Sequence, residues 1–191
     1  VAAQVKSLQK ASGGGAITAD GTAPPSAEKP SAQAVAAYTV EPDMPRYITV
    51  PKLGVFARVL SMGVNDKSQL DAPKNIHDAG WYNDSSKPGL PGALLIDGHS
   101  GIGKTNGIFH NAGKLTQGDA ITIERGDRQK FTYKVVSVKV LQADSVDMSA
   151  MVTPADNANE GLNLITCTGR QIPGTTSLDQ RVLIRAVRSS Q

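Results

Sequence analysis

The sequence predicts an all-β fold, a barrel or a sandwich, over residues 46–191. Three observations point there: apolar runs are short and bounded by Gly or Pro, period-two alternation recurs, and helical periodicity is scarce. In chain order, Arg46-Tyr47-Ile48-Thr49-Val50 reads as a strand stopped by Pro51, and Val55 to Leu60 as a second after Gly54. Ala93-Leu94-Leu95-Ile96, between Gly92 and Gly98, is apolar throughout, which suits a strand buried on both faces. Ile121-Thr122-Ile123 alternates, Gly126-Asp127 interrupts, and Phe131 to Leu141 follows, which predicts a hairpin. Leu162 to Ile165 and Val182 to Ile184 bring the expected total to about eight short strands. One short helix each is expected over residues 65–70 and 107–115.

Composition excludes several classes. The 191 residues include one Cys and eight aromatic residues, and no stretch of 18 consecutive apolar residues that would make a transmembrane helix. A single Cys forms no intramolecular disulfide and excludes a Cys-rich zinc finger. With 20 basic and 17 acidic residues the net charge is +3, without a concentrated basic patch, so nucleic acid is not an expected partner. Residues 1–45 differ from the rest: 11 Ala, five Pro, four Gly and four Ser leave few large apolar side chains to offset ordering entropy. This arm is expected to be a linker or stalk, with at most a short helix over 32–37. If part of it folds back over an active site, residues 38–45 are the expected segment. The remaining 146 residues have the size of one domain.

Cys167 is the natural starting point for chemistry. A lone cysteine is commonly a small buried hydrophobe. Here it ends an apolar strand and precedes Thr168-Gly169-Arg170, a position where a thiol emerges from a core. A cysteine nucleophile needs a proton-transfer partner and a group to stabilise an oxyanion. His99, in Asp97-Gly98-His99-Ser100-Gly101, directly follows the Leu94–Ile96 strand, where flanking glycines allow close backbone approach. His77 and His110 read as surface or packing residues. The histidines are 22 and 11 residues apart with no i, i+4 pair, so a metal site is not expected. Arg181 and Arg185 alternate onto one face of the last strand, and either guanidinium suits a developing carbonyl anion. Arg170 lies on a loop, and Arg188 lies further along.

These residues together resemble the sortases, the cysteine transpeptidases of bacterial cell surfaces. The carrying segments are Gly98-His99-Ser100, Leu162-Asn163-Leu164-Ile165-Thr166-Cys167 and Arg181-Val182-Leu183-Ile184-Arg185-Ala186. Pro91-Gly92, Ile108-Phe109 and Leu115-Thr116-Gln117-Gly118-Asp119 support them, in order, across 46–191. The resemblance implies an eight-stranded β-barrel with a few short helices. It implies Cys167 as nucleophile, His99 as acid and base, and Arg181 rather than Arg185 as the oxyanion or substrate holder. It further implies cleavage of an LPXTG-like sorting signal between Thr and Gly through a thioester, with transfer to an amine of a cell-wall precursor or pilin. No cofactor or metal is implied. Family members are anchored by an N-terminal membrane helix on the outer face of the membrane, for which residues 1–45 would be the stalk. Gln142 to Gly161 resembles the family's substrate-contacting loop, and the short loops are similar to class E or class F.

Other cysteine enzymes fit poorly. A papain-like protease has its Cys near the N-terminus in a Cys-Gly-x-Cys-Trp-like setting, and an L,D-transpeptidase places it after Ser-His-Gly. The alternative from another class is a catalytically silent β-barrel binding module. It would lack Cys, His or Arg, and all three are present.

Overall fold

Every run singled out as a strand forms one in the computed structural model, which describes residues 15–16, 30–66, 69–102 and 105–189. The strands are β1 (Pro45–Val50), β2 (Val55–Met62), β3 (Ala79–Tyr82), β4 (Gly92–Gly98), β5 (Ala120–Arg125), β6 (Lys130–Gln142), β7 (Glu160–Gln171) and β8 (Leu178–Arg188). They close a barrel in the order β6-β8-β7-β4-β3-β2-β1-β5, and the β5–β6 hairpin completes the ring. β2–β3 and β4–β7 are parallel pairs, and the other neighbours are antiparallel. Closure leaves the barrel without an open edge.

Alternation sets two apolar layers. Leu94, Ile96, Leu162, Leu164, Val182 and Ile184 face the barrel interior with Ile48, Trp81, Ile121 and Tyr133. Their neighbours Leu95, Ile165 and Leu183 face outward and are still buried, under Leu70, Tyr82, Val146, Met148 and Met151. This second layer is why Ala93 to Ile96 carries no polar alternation. The covering residues Val146 to Met151 belong to the long β6–β7 connection, which contains the short helix Met148–Met151 capped by the Asp147 carboxylate.

Two local expectations differ from the structure, and one strand lay outside them. β3 was not anticipated, because all four of its residues are buried and Gly80 is a poor strand former. A Cβ on Gly80 would overlap the Asp97 carboxylate, so the cross-strand fit demands glycine there. Residues 65–70 form no helix among their described members; Val64 bridges Leu70, and Asn65 Oδ1 accepts from the Gln69 amide at 3.0 Å. Asn65 bonding its neighbour's backbone favours a turn over a helix. Within 107–115 only a 3-10 turn, Ala112–Lys114, is helical.

Packing begins before residue 46. Helix α1 (Ala32–Ala37) is capped by Ser31, whose side chain accepts from the Ala34 amide. Val35, Tyr38 and Val40 pack on Tyr47, Leu60 and Met62, and the Tyr38 hydroxyl donates to the Val59 carbonyl at 2.6 Å. Burial pushes the Tyr38 phenol up to about 12, with the Arg58 charge opposing. Arg46 donates to the carbonyls of Tyr38 and Val35 and to Glu124. Val35, Tyr38 and Val40 thus dock the arm on β1 and β2, and the Gly126 and Asp127 amides of the β5–β6 turn donate to the Met44 and Pro42 carbonyls at 3.0 Å each. Gly15–Ala16 pairs in parallel with Asp71–Ala72. The rest of the expected stalk, 1–14 and 17–29, lies outside the described residues.

The Arg58–Asp78 pair holds β2 to the segment leading into β3. Arg58 Nε and Nη2 donate to the two Asp78 oxygens at 2.7 and 2.9 Å, and both side chains are buried. Asp78→Ala removes the carboxylate and leaves a buried guanidinium without its counter-charge, so we expect a loss of about 3–5 kcal/mol. Urea denaturation checks this; a loss below about 1 kcal/mol, the level of a surface pair, would contradict it.

Candidate active site

The barrel pairing sets two of the three candidate residues on adjacent strands, and the third directly follows a strand. Cys167 on β7 and Arg181 on β8 are direct register partners. On the other side of β7, Ile165 pairs with Asp97 of β4, and Cys167 and His99 each lie two residues further along. Side chains alternate, so Cys167 and Arg181 share the outward face of Ile165 and Leu183. Register thus sets Cys167 directly beside Arg181, while His99 follows the end of β4 on the other side of β7.

Local contacts hold each member. The Thr166 hydroxyl donates to the Gly98 carbonyl at 2.7 Å, tying the residue before Cys167 to the residue before His99. Gly98 has no room for a side chain, since a Cβ would lie 2.7 Å from the Phe109 ring. The His99 ring Nε2 lies 2.7 Å from the Pro73 carbonyl, which accepts when that nitrogen carries a proton. Arg181 is only 3 % exposed, and Nη1 donates to the carbonyls of Leu178 and Gln180 at 2.8 Å each, while Nη2 reaches Ser177 Oγ at 3.3 Å. The guanidinium fork is thus fixed by the turn into β8 beside the thiol.

Cys167 is half-buried. Burial pushes its thiol above the usual range, the Arg181 charge pulls it down, and the Asp97 carboxyl pushes it up. Burial wins, so the thiol holds its proton at neutral pH and needs a partner to accept it.

A family model, the Sortase domain, matches residues 48–189. The chain belongs to the sortase family. Solved structures of the same fold include sortase A from Corynebacterium diphtheriae (a lid mutant; 23% identity, 80% of this chain and 73% of that one, TM-score 0.56). Others are sortase C-1 from Actinomyces oris (21% identity, 80% and 76%, TM-score 0.57) and the sortase D5 transpeptidase of Clostridium perfringens (21%, 78% and 80%, TM-score 0.55). No curated protein matches the sequence. Sortases are cysteine transpeptidases, and Cys167 is the single cysteine of this one. Among the described residues no helix is long and apolar enough to cross a membrane, and no group of three or more His, Cys, Asp or Glu is arranged to hold a metal ion.

The remaining sortase residues considered from sequence lie elsewhere, with one exception. Arg185 donates to the Thr153 carbonyl, and Arg188 pairs with Glu160 and lies over the Phe131 ring. Arg170 is exposed, its backbone amide bonded to Asp179. The His77 amide donates to Asn75 Oδ1 in a turn. His110 is the exception: with Ser100, Lys114, Val140 and Leu178 it lines a cleft of about 320 Å³ that reaches Cys167.

Asp97 was not singled out from sequence, and it is the unusual group of the site. It is 8 % exposed, and its Oδ1 finds no hydrogen-bond partner among the described residues. Burial raises its carboxyl well above the usual aspartate range; its own backbone hydrogen bond opposes this and the charge of Asp71 adds to it. A carboxyl whose pKa is raised by folding contributes stability fully below its unfolded value, about 3.9. That contribution is lost as pH climbs through the raised folded value. We therefore expect the melting temperature to fall less steeply above about pH 4 in Asp97→Asn than in the parent. Equal slopes in the two proteins would refute the assignment.

Proposed function

We propose that this sortase cleaves an LPXTG-like sorting signal between Thr and Gly and transfers the acyl group to an amine. Cys167 is the nucleophile, His99 the acid and base, and Arg181 the anion holder. The observation that supports the reading is the pairing of Cys167 with Arg181 across β7 and β8, with His99 following the strand on the other side of β7. In the first step the Cys167 thiol passes its proton to His99, Sγ attacks the threonine carbonyl carbon, and the carbonyl oxygen becomes negative beside the Arg181 fork. The C–N bond then breaks, and His99 as imidazolium gives its proton to the departing glycine amine, leaving a thioester on Cys167. In the second step an incoming amine attacks the thioester carbon, His99 takes its proton, and the thiolate leaves. The imidazolium–thiolate pair is restored. An imidazole can both give and accept a proton, which suits both directions of transfer.

The acceptor in this reading is the amine of a cell-wall precursor or a pilin, and the substrate is a secreted surface protein. The domain works on the outer face of the membrane. The Gly98-His99-Ser100 segment favours class E or F. The test is turnover of a quenched LPXTG peptide with and without an added amine. Release of the glycine-side product, with diversion of the other half to an amide by the amine, is expected. Cleavage that yields only free acid at every amine concentration would reduce the enzyme to a peptidase.

A further inference from the structure

Residues 142–161 are fastened to the barrel by a pair of residues that the proposed reaction does not use. Asn163 on β7 and Arg185 on β8 are register partners, one step inside the Ile165–Leu183 pair. Asn163 is fully buried, and its Nδ2 donates to the Met151 carbonyl at 2.9 Å and the Thr153 carbonyl at 3.1 Å. Arg185 Nη2 donates to the same Thr153 carbonyl at 2.8 Å. Two carbonyls facing one amide fix its orientation, because a reversed Asn163 would oppose oxygen to oxygen.

Packing on both sides supports this attachment. Met148 and Met151 bury against Ile165 and Leu183, while Pro154 approaches Gly161 so closely that a Cβ there would lie 3.1 Å from its Cα. Asn163, Ile165 and Cys167 alternate onto one outward face of β7. The connection covers the first two and leaves Cys167 half-exposed at its margin. The connection thus covers the outward face as far as Ile165, one alternation short of the thiol. Asn163 Oδ1 and Arg185 Nε are both buried without a partner among the described residues, so the polar capacity of this pair is directed to Met151 and Thr153 alone.

We propose that Asn163 and Arg185 are positioning residues, a two-pronged latch on Thr153 that sets residues 142–161 as a wall of the peptide groove and so governs peptide affinity. This rests on the sorting-peptide reading above. Asn163→Asp keeps the shape but turns a carboxylate oxygen toward a carbonyl, and Arg185→Met removes the second prong from a half-buried site. With the full chain and the quenched LPXTG peptide, Asn163→Asp is expected to raise KM about tenfold, and Arg185→Met about threefold, with kcat within about threefold of the parent. Both prongs share one acceptor, so the double variant should fall short of the product of the single effects. Hydrogen exchange at amides 151–153 should accelerate about tenfold in each variant. Alkylation of Cys167 by iodoacetamide, which needs no wall, should keep its rate.

An unchanged KM, a fall in kcat alone, or a changed alkylation rate would overturn the latch. If the parent enzyme turns over no sorting peptide, the functional reading fails by itself. The exchange measurement still decides the latch, since unaltered exchange at 151–153 in both variants sinks it. Should Asn163→Asp not fold, Arg185→Met carries the same comparison.

Discussion

Cys167→Ala abolishes peptide turnover, with an expected loss of at least about 10³-fold in kcat. The size follows from chemistry. The reaction replaces one amide by another through a thioester, and alanine offers no atom to carry the acyl group. No other thiol exists in the chain to substitute for it. The fold should tolerate the change, because Cys167 is half-buried within β7 and its side chain is small. The variant should melt within a few degrees of the parent and still bind the peptide. Turnover is followed with the quenched LPXTG peptide, and acyl-enzyme by the mass of the intact protein after mixing with substrate. The parent should gain the mass of the peptide's N-terminal part, and the alanine variant nothing. Residual cleavage above about one part in 10³ would mean that water, activated by His99, can do the work ascribed to the thiol. That result would overturn covalent catalysis here.

How far the sequence reaches into this site depends on whether a property is local. The apolar run Leu94 to Ile96 is visible because burial on both faces removes polar alternation, and Cys167 is visible as the end of a similar run. The choice between Arg181 and Arg185 is not local. Both share a face of β8, and only the β7 register, Cys167 with Arg181 and Asn163 with Arg185, separates their surroundings. β3 escaped notice for a related reason: Gly80 makes sense only once Asp97 lies across from it. Asp97 did leave a signal, a carboxyl closing an all-apolar run two residues before a histidine on the same strand face. His110 left none, since its place on the cleft comes from Phe109 docking on Gly98, a contact between segments. The 142–161 connection has no period to read; a four-residue helix and two 3-10 turns conform to the barrel beneath them.

Arg181 yields the second large effect, and two substitutions separate its contributions. Arg181→Lys keeps a positive charge beside the thiol but gives up the planar fork. Arg181→Gln keeps a donor and loses the charge. If Arg181 holds the carbonyl oxygen as it becomes negative, both variants should lose about 10²–10³ in kcat, the cost of removing one preorganised oxyanion donor, with KM little changed. The thiol should distinguish them. The Arg181 charge pulls the Cys167 thiol down against the larger effect of burial, so its removal in Arg181→Gln raises the thiol further and shifts the alkylation profile to higher pH. Arg181→Lys should leave that profile nearly in place. Folding must be checked alongside. The guanidinium is nearly inaccessible and serves the carbonyls of Leu178 and Gln180, and leaving those without a donor costs about 1–3 kcal/mol each. A lysine with full kcat would show that charge alone suffices and that the fork only shapes the turn into β8. A glutamine whose alkylation profile does not move would show that Arg181 sets the oxyanion site without tuning the nucleophile. The expected result, a lysine variant normal in thiol titration and defective in turnover, places the function of Arg181 in the transition state rather than in the resting thiol.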